Sequence, residues 1–97
     1  MASIAEVVES LRDILRATGS ERQALVSRVQ RVILSDRDLV LDAESEGILV
    51  DLAVNMDYYE PNPEWRRHDP SYFDDARLEE YVKAGIRDIE QYLRSQQ

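Results

Sequence analysis

The chain is short and acidic: its 97 residues include twelve Lys and Arg against twenty Asp and Glu, for a formal net charge of −8. The absence of cysteine and the single histidine, His68, exclude disulfides, thiolate metal sites and cages of several histidines. We expect a chain of this length to fold as one domain over residues 1–97. Because no apolar run approaches the ~18–20 residues of a membrane span, we expect a soluble, cytoplasmic protein with no membrane partner.

Apolar residues recur at helical spacing along the chain, which predicts an all-α fold, a small antiparallel four-helix bundle with a long proline-containing loop before the last helix. Ser3 and Glu6 form a capping-box pattern at the start of the first helix. Gly19 then ends that helix in a left-handed conformation, and Ser20 is expected to cap the second. The short connection predicts that these two helices pack as an antiparallel hairpin.

The middle of the chain holds the third predicted helix, which begins near Asp42. The conformation of residues 35–42 before it stays open, since Leu39 to Leu41 fits either a helical turn or an extended segment. The helix should end before Pro61, because the residue preceding a proline avoids helical geometry. Its inner face is predicted to contain Leu49, Leu52, Ala53 and Met56.

Three prolines mark a loop from Glu60 to Phe73, which is long for a connection in a bundle. We expect its aromatic residues to pin it, with Trp65 as the side chain that seals the loop onto the core. The alternative is an exposed Trp65 that, with Arg66 and Arg67, stacks on a base or on a side chain of a partner. The last helix begins near Asp74 or Asp75, whose carboxylates suit a helix N-terminus. Its inward side chains are predicted to be Leu78, Tyr81, Val82, Ile86, Ile89, Tyr92 and Leu93.

The negative charge is concentrated in one segment: residues 35–64 contain nine acidic residues and one arginine, whereas residues 1–34 are nearly neutral. A surface of one sign steers a partner of the opposite sign toward it. The sequence therefore predicts a basic protein partner and disfavours nucleic acid, whose phosphates call for lysine and arginine. The alternative is an acidic surface that serves solubility alone.

Within that segment, Asp57 and Glu60 are three residues apart and share one face of the third helix if the helix continues that far. One of Tyr58 and Tyr59 should then face the core and leave the other exposed beside the carboxylates. An exposed tyrosine in such a patch is typical of protein interfaces. The predicted partner-binding residues are Asp42, Glu46, Asp57, Tyr58, Glu60, Asn62 and Glu64.

Catalytic chemistry finds little support in the sequence. The acidic pairs in Asp42 to Glu46 and at Glu79-Glu80 lack the inward Glu-x-x-His pattern of a carboxylate-bridged metal site. His68 is expected to be a structural group in its loop, and no serine stands in a nucleophile motif. We therefore predict a protein that is not an enzyme and that holds no cofactor and no metal.

One stretch resembles a known family. Leu52 to Asn62 ends with acid, any residue, aromatic, Glu, Pro and a polar residue, which here reads Asp57-Tyr58-Tyr59-Glu60-Pro61-Asn62. With Asp74-Asp75 and Leu78 at comparable spacing beyond it, the last half of the chain resembles the colicin-D-type immunity family. These are small four-helix proteins that protect a bacterium from a tRNA-cleaving toxin.

The resemblance implies an inhibitor that covers the cationic active-site cleft of a ribonuclease toxin and substitutes carboxylates for tRNA phosphates. It implies that Asp57 and Glu60 carry the inhibition, with the exposed tyrosine between them. Asn62 stands where the family has an acid, and Glu64 offers a replacement nearby. The alternative is a non-catalytic helical adaptor or oligomerisation protein with tyrosine, tryptophan and leucine at its interface. The sequence leaves the oligomeric state open.

Overall fold

The computed structural model describes residues 3–96, which form five α-helices and no β-strand. The helices are α1 (Ile4–Arg16), α2 (Gly19–Ser35), α3 (Ala43–Asn55), α4 (Pro63–Arg66) and α5 (Asp75–Ser95). This confirms the all-α prediction, with α4 as one additional turn inside the proline-containing loop. None of the helices in this part of the chain has the length and apolar character needed to cross a bilayer.

The four long helices pack as a closed ring around one core: α1 against α2, α2 against α3, α3 against α5, and α5 against α1. Asp42, just before α3, accepts a hydrogen bond from Tyr92 near the end of α5. Leu52, near the end of α3, packs on Gly85 in the middle of α5. These contacts make α3 and α5 antiparallel. The largest fully buried side chains are Leu11, Ile14, Leu49, Leu78, Ile89, Val29 and Val82, together with Ser45.

The residues at the start of α1 and α2 agree only in part with the caps predicted from the sequence. The Ser3 side chain caps α1 by accepting a hydrogen bond of 3.2 Å from the Glu6 amide, which is one half of the predicted capping box; the return bond to the Glu6 carboxylate is not found in the described residues. Gly19 has the predicted left-handed conformation, with a φ of +58°, but it begins α2 and does not end α1, whose C-cap is Ala17. The prediction that Ser20 caps α2 is wrong. The tight turn at Gly19 lets helical hydrogen bonding begin earlier, from the Arg22 amide to the Thr18 carbonyl, and Thr18 holds the cap position.

The connection between α2 and α3 is a turn followed by an extended segment, which settles the conformation that the sequence left open. The Asp36 carbonyl and carboxylate accept hydrogen bonds from the amides of Leu39 and Asp38. Leu39 then points into the core and Val40 points away, with an exposed fraction of 82%. This alternation of inward and outward side chains is typical of extended backbone.

Asp42 caps the N-terminus of α3 and ties it to α5. Its Oδ1 accepts hydrogen bonds from the Ser45 amide and hydroxyl, and the Ser45 hydroxyl accepts one from the Asp42 amide. Its Oδ2 accepts a hydrogen bond of 2.5 Å from the Tyr92 hydroxyl. Both carboxylate oxygens therefore act within the fold.

We expect Asp42→Asn to reduce the loss of stability in acid. Hydrogen bonds from the Ser45 amide and then the Tyr92 hydroxyl hold the pKa of Asp42 below its ordinary value of 3.8. A lowered folded-state pKa means that the carboxylate contributes stability above the ordinary pKa and that this contribution disappears as the pH falls through the folded-state pKa. Asparagine still caps the helix but does not titrate. Urea midpoints at about pH 7 and about pH 3 should therefore differ less than in the wild type.

The matched control for this pH dependence is Asp38→Asn, because Asp38 is exposed and stands outside the cap. That variant should keep the acid sensitivity of the wild type. If Asp42→Asn loses as much stability between the two pH values as the wild type does, the Asp42 carboxylate is not a source of the acid sensitivity.

The loop after α3 is closed by backbone hydrogen bonds rather than by its tryptophan. The Glu60 amide donates to the Phe73 carbonyl at 2.9 Å, and the Phe73 amide donates to the Tyr58 carbonyl at 2.8 Å. Phe73 packs against Tyr59 and Tyr81, with ring centroids 6.3 and 5.1 Å away.

The prediction that Trp65 seals the loop onto the core is wrong. Its exposed fraction is 59%, and its ring lies 5.5 Å from that of His68. The reason is the short helix α4, which begins at Pro63 and puts Trp65 on the outer side of the loop. Phe73 and a pair of hydrogen bonds from the Arg66 guanidinium to the Glu60 and Pro61 carbonyls hold the loop instead.

Candidate functional site

The end of α3 determines where the predicted inhibitory carboxylates lie. The helix ends at Asn55 and is followed by a 3-10 turn, Met56–Tyr58, and then by extended backbone at Tyr59. Asp57 and Glu60 therefore do not share a helical face, because the condition for it, a helix that continues to Glu60, is not met. Pro61 disfavours helical backbone at Glu60, the residue directly before it, so the helix cannot include the second carboxylate.

Asp57 and Glu60 nevertheless both line one concavity. Asp57, Tyr59 and Glu60 form one wall of a cleft of about 230 Å³, and Gln23, Ser27 and Gln30 of α2 form the other. We call this the acidic cleft. No lysine or arginine lines it. The structure thus brings Asp57 and Glu60 together by the turn after α3 and not by a helical repeat.

Gln30 fixes the position of Asp57. Its side-chain amide donates to Asp57 Oδ1 at 2.7 Å and to the Ala53 carbonyl at 3.0 Å. The second bond satisfies a carbonyl at the end of α3, which has no partner within the helix. Asp57 remains exposed, so that its carboxylate is both oriented and accessible.

Tyr58 and Tyr59 divide as predicted into one exposed and one inward side chain. Tyr59 packs against the core and its hydroxyl donates to Asp75 Oδ1 at 2.6 Å. Burial, and then this hydrogen bond, raise the pKa of Tyr59, so it stays neutral. Tyr58 has an exposed fraction of 42%. The tyrosine that lines the acidic cleft is Tyr59, whereas Tyr58 lies outside its walls.

The remaining predicted residues lie around the cleft or away from it. Asn62 caps α4 by accepting a hydrogen bond of 3.0 Å from the Glu64 amide, and the Glu60 carboxylate accepts one from the Asn62 amide. Asn62 and Glu64 are exposed beyond Pro61. Glu46 is exposed in the first turn of α3. Asp42 uses both of its carboxylate oxygens in the cap, so it stands apart from this group.

The acidic segment is not neutralised by the protein's own cations. Seven ion pairs are found within residues 3–96, and every carboxylate in them lies outside residues 35–64. All nine acidic residues of that segment are therefore without an ion-pair partner in the described chain. In the nearly neutral N-terminal hairpin, in contrast, two of the four acidic residues, Glu9 and Asp13, are in ion pairs.

Arg22 is the residue beside the cleft that sequence reasoning missed. It is 5% exposed, and its Nε donates to the Ile14 and Ala17 carbonyls at the end of α1. Its Nη1 donates to Asp75 Oδ1 at 3.1 Å, the same oxygen that accepts from Tyr59. Arg22 thus connects α1, α5 and the inner wall of the cleft. The usable signal was its place in the first turn of α2, near carbonyls of α1 that need donors.

The chemistry available at the cleft is recognition of positive charge. Among residues 3–96, no group of three or more His, Asp or Glu side chains is arranged to hold a metal ion. His68 is exposed and packs against Trp65, away from the cleft. Carboxylates accept hydrogen bonds from arginine and lysine, and two of them at one cleft suit a guanidinium or ammonium group.

Comparison of the chain with models of protein families, with curated proteins and with solved structures gives no match.

Proposed function

We propose that this protein is a non-catalytic, immunity-type inhibitor that binds a cationic nuclease domain, of the tRNA-cleaving toxin class, and blocks its active site. The observation that carries the proposal is the set of nine carboxylates in residues 35–64 that take no part in an ion pair within the described chain. Concentrated charge of one sign opposes the compact state by self-repulsion. A basic partner would relieve that repulsion.

The acidic cleft supplies the contact at the active site in this proposal. A nuclease holds its substrate phosphates with lysine and arginine, so carboxylates in their place compete for the same cations. Gln30 holds Asp57 in one orientation, and Pro61 and Pro63 stiffen the chain after Glu60. Little ordering entropy is then lost on binding. The inhibitor would act in the cytoplasm, where the tRNA substrate is found, and would need no cofactor.

The double variant Asp57→Arg with Glu60→Arg tests the proposal. Because each reversal places like charges against the nuclease cations, we expect inhibition to weaken by at least about 100-fold. The measurement is cleavage of tRNA by a basic tRNase toxin domain, titrated with the wild type or the variant. A toxin domain encoded next to the gene for this chain would be the first choice. Wild-type affinity should also fall steeply with added salt.

The control applies an equal change of charge elsewhere, at Glu21 and Glu80, which are exposed on α2 and α5. Their reversal to arginine should change inhibition by less than about threefold, since these sites are outside the cleft. Circular dichroism must show the same helicity for all three proteins. If the Asp57 and Glu60 double variant still inhibits as well as the control, the acidic cleft does not bind the nuclease.

A non-catalytic adaptor or oligomerisation protein is the second candidate. Val40 is 82% exposed and Trp65 is 59% exposed, and exposed large apolar side chains are typical of interfaces. Apolar contacts are screened little by salt. A stable dimer in size-exclusion chromatography that persists from low to high salt would favour this function over the inhibitor.

A further inference from the structure

A second concavity lies on the other flank of α3, between α3 and α5, and has a volume of about 480 Å³. We call it the α3/α5 groove. On α3 its lining extends from Ala43 to Asn55, which is the whole helix. At 1.5 Å per residue, these 13 residues span about 20 Å. The groove is therefore an extended feature, suited to an elongated element more than to a small molecule.

The floor of the groove is apolar and is kept open by small residues. Ile48 and Leu52 of α3 and Ala84 and Gly85 of α5 form this floor. A Cβ atom built on Gly47, which also lines the groove, would have no other atom within 4 Å. At Gly85 the opposite holds, since a Cβ there would lie 2.7 Å from Leu52 Cδ2. Gly85 thus lets α3 and α5 approach each other closely, whereas Gly47 leaves open space in the groove.

The rim of the groove is acidic on both sides. Glu44 and Asp51 stand seven residues apart on α3, which places them on one face, and Asp88 faces them from α5. Glu44 and Asp51 belong to the acidic segment without ion pairs. Asp88 contacts its neighbour Arg87 at 3.3 Å, but both side chains are at least half exposed, and such pairs are weak. No lysine or arginine lines the groove.

We propose that the α3/α5 groove binds a basic amphipathic helix of a protein partner. Apolar side chains at positions i, i+3, i+4 and i+7 of that helix would lie on the floor formed by Ile48, Leu52 and Ala84. Lysine and arginine on the flanks of the same helix would reach Glu44, Asp51 and Asp88. Since each turn rises about 5.4 Å, the lining on α3 would contact about three turns of such a helix, and the lining on α5, from Tyr81 to Asp88, about two.

Charge complementarity selects this occupant over the others. A second copy of the chain has a net charge of −8 and would be repelled from an acidic rim. Nucleic acid would be repelled for the same reason. The inference goes beyond the proposed function, because the groove lies on the opposite flank of α3 from the acidic cleft and does not require that the partner be a nuclease.

The test is a titration of the ¹⁵N-labelled full chain with a synthetic 14-residue helical peptide that carries leucine on one face and arginine on the other. We expect amide resonances of Gly47 and Gly85 to shift, whereas Gly19 lies in the turn between α1 and α2 and should stay in place. A peptide with glutamate in place of arginine should cause no shift. The proposal is overturned if the arginine peptide causes no shift at millimolar concentration, or shifts confined to residues outside the groove.

Three variants make the test specific to the groove. Gly47→Leu replaces glycine by a better helix former, so the chain should still fold. The leucine side chain would occupy the open space of the groove at this position, so the peptide should bind at least about tenfold more weakly. Glu44→Arg should also weaken binding about tenfold, while Glu46→Arg should change it less than about twofold. Glu46 is an exposed acid in the same turn that does not line the groove. Equal losses for Glu44→Arg and Glu46→Arg would overturn the proposal. No nuclease enters this test, so its failure leaves the proposed function standing.

Discussion

Replacing Arg22 by alanine is expected to lower the free energy of unfolding by about 3–4 kcal/mol, a large fraction of the stability of a domain of this size. The guanidinium Nε lies 3.0 Å from the Ile14 carbonyl oxygen and 2.8 Å from that of Ala17. Both carbonyls belong to the end of α1, where the helix itself supplies few donors. Losing a charged donor to buried acceptors costs about 1–3 kcal/mol for each. Urea unfolding followed by circular dichroism measures the difference.

The same substitution should also loosen the inner wall of the acidic cleft. Arg22 Nη1 and the Tyr59 hydroxyl donate to one oxygen of Asp75, so the carboxylate joins α2 to the segment after α3. Without the arginine, the Asp75 carboxylate loses the bond from Arg22 and keeps the bond from the Tyr59 hydroxyl. We therefore expect faster hydrogen exchange at Tyr59 and Glu60 in the variant, because local opening limits exchange there.

Two further variants separate the role of the fork-shaped side chain from that of charge. Arg22→Lys keeps the positive charge but loses the planar set of donors, so its loss of stability should be about half that of alanine. Arg31→Ala, at an exposed arginine of the same helix, should stay within about 0.5 kcal/mol of the wild type. An Arg22→Ala protein as stable as Arg31→Ala would show that the buried network contributes nothing.

The long helices and most of the core could be predicted from the sequence because they depend on local signals. Ser3, Asp42 and Asp74 each accept a hydrogen bond from the third residue of the helix they precede, and all three are of residue types that favour this position. The apolar spacing within each helix then identifies the buried face. Such signals need only a few neighbouring residues, so an isolated sequence contains them.

The features that were missed depend on contacts between distant parts of the chain. Trp65 is outside the core because α4 puts it on the outer side of the loop, and Phe73, eight residues later, packs against Tyr59 and Tyr81 instead. Arg22 is buried because carbonyls of α1 and a carboxylate of α5 surround it. From residue type alone, Arg22 would be expected at the surface and Trp65 in the core. Tertiary contacts override such local preferences.

The candidate site was predicted in composition but not in geometry. The count of charged residues identified the acidic segment. Because this segment has nine acidic residues and one arginine, few ion pairs are expected within it. The path of the chain after Asn55 could not be read from spacing, since a 3-10 turn and an extended residue at Tyr59 replace the expected helix. The cleft instead depends on α2, through Gln30, whose side chain gives no sequence signal of a contact with Asp57.

Leu52→Ala is expected to cost about 2–4 kcal/mol of unfolding free energy, since Leu52 is 5% exposed and truncation leaves a cavity between α3 and α5. Gly85→Ala should cost about 1 kcal/mol in the wild type. The new Cβ would lie 2.7 Å from Leu52 Cδ2, and this overpacking outweighs the better helix propensity of alanine. Thermal and urea unfolding of both variants measure these values.

The two substitutions should couple, and the sign of the coupling identifies the contact. Once Leu52 is alanine, the atoms that crowd position 85 are gone, so Gly85→Ala should stabilise the protein by about 0.5–1 kcal/mol in that background. Gly47→Ala is the reference, because no atom lies near its Cβ position and it should give the same gain in either background. If Gly85→Ala stabilises the wild-type protein as much as Gly47→Ala does, then Leu52 does not set the distance between α3 and α5. The close approach of the two helices beneath the groove would then need another cause.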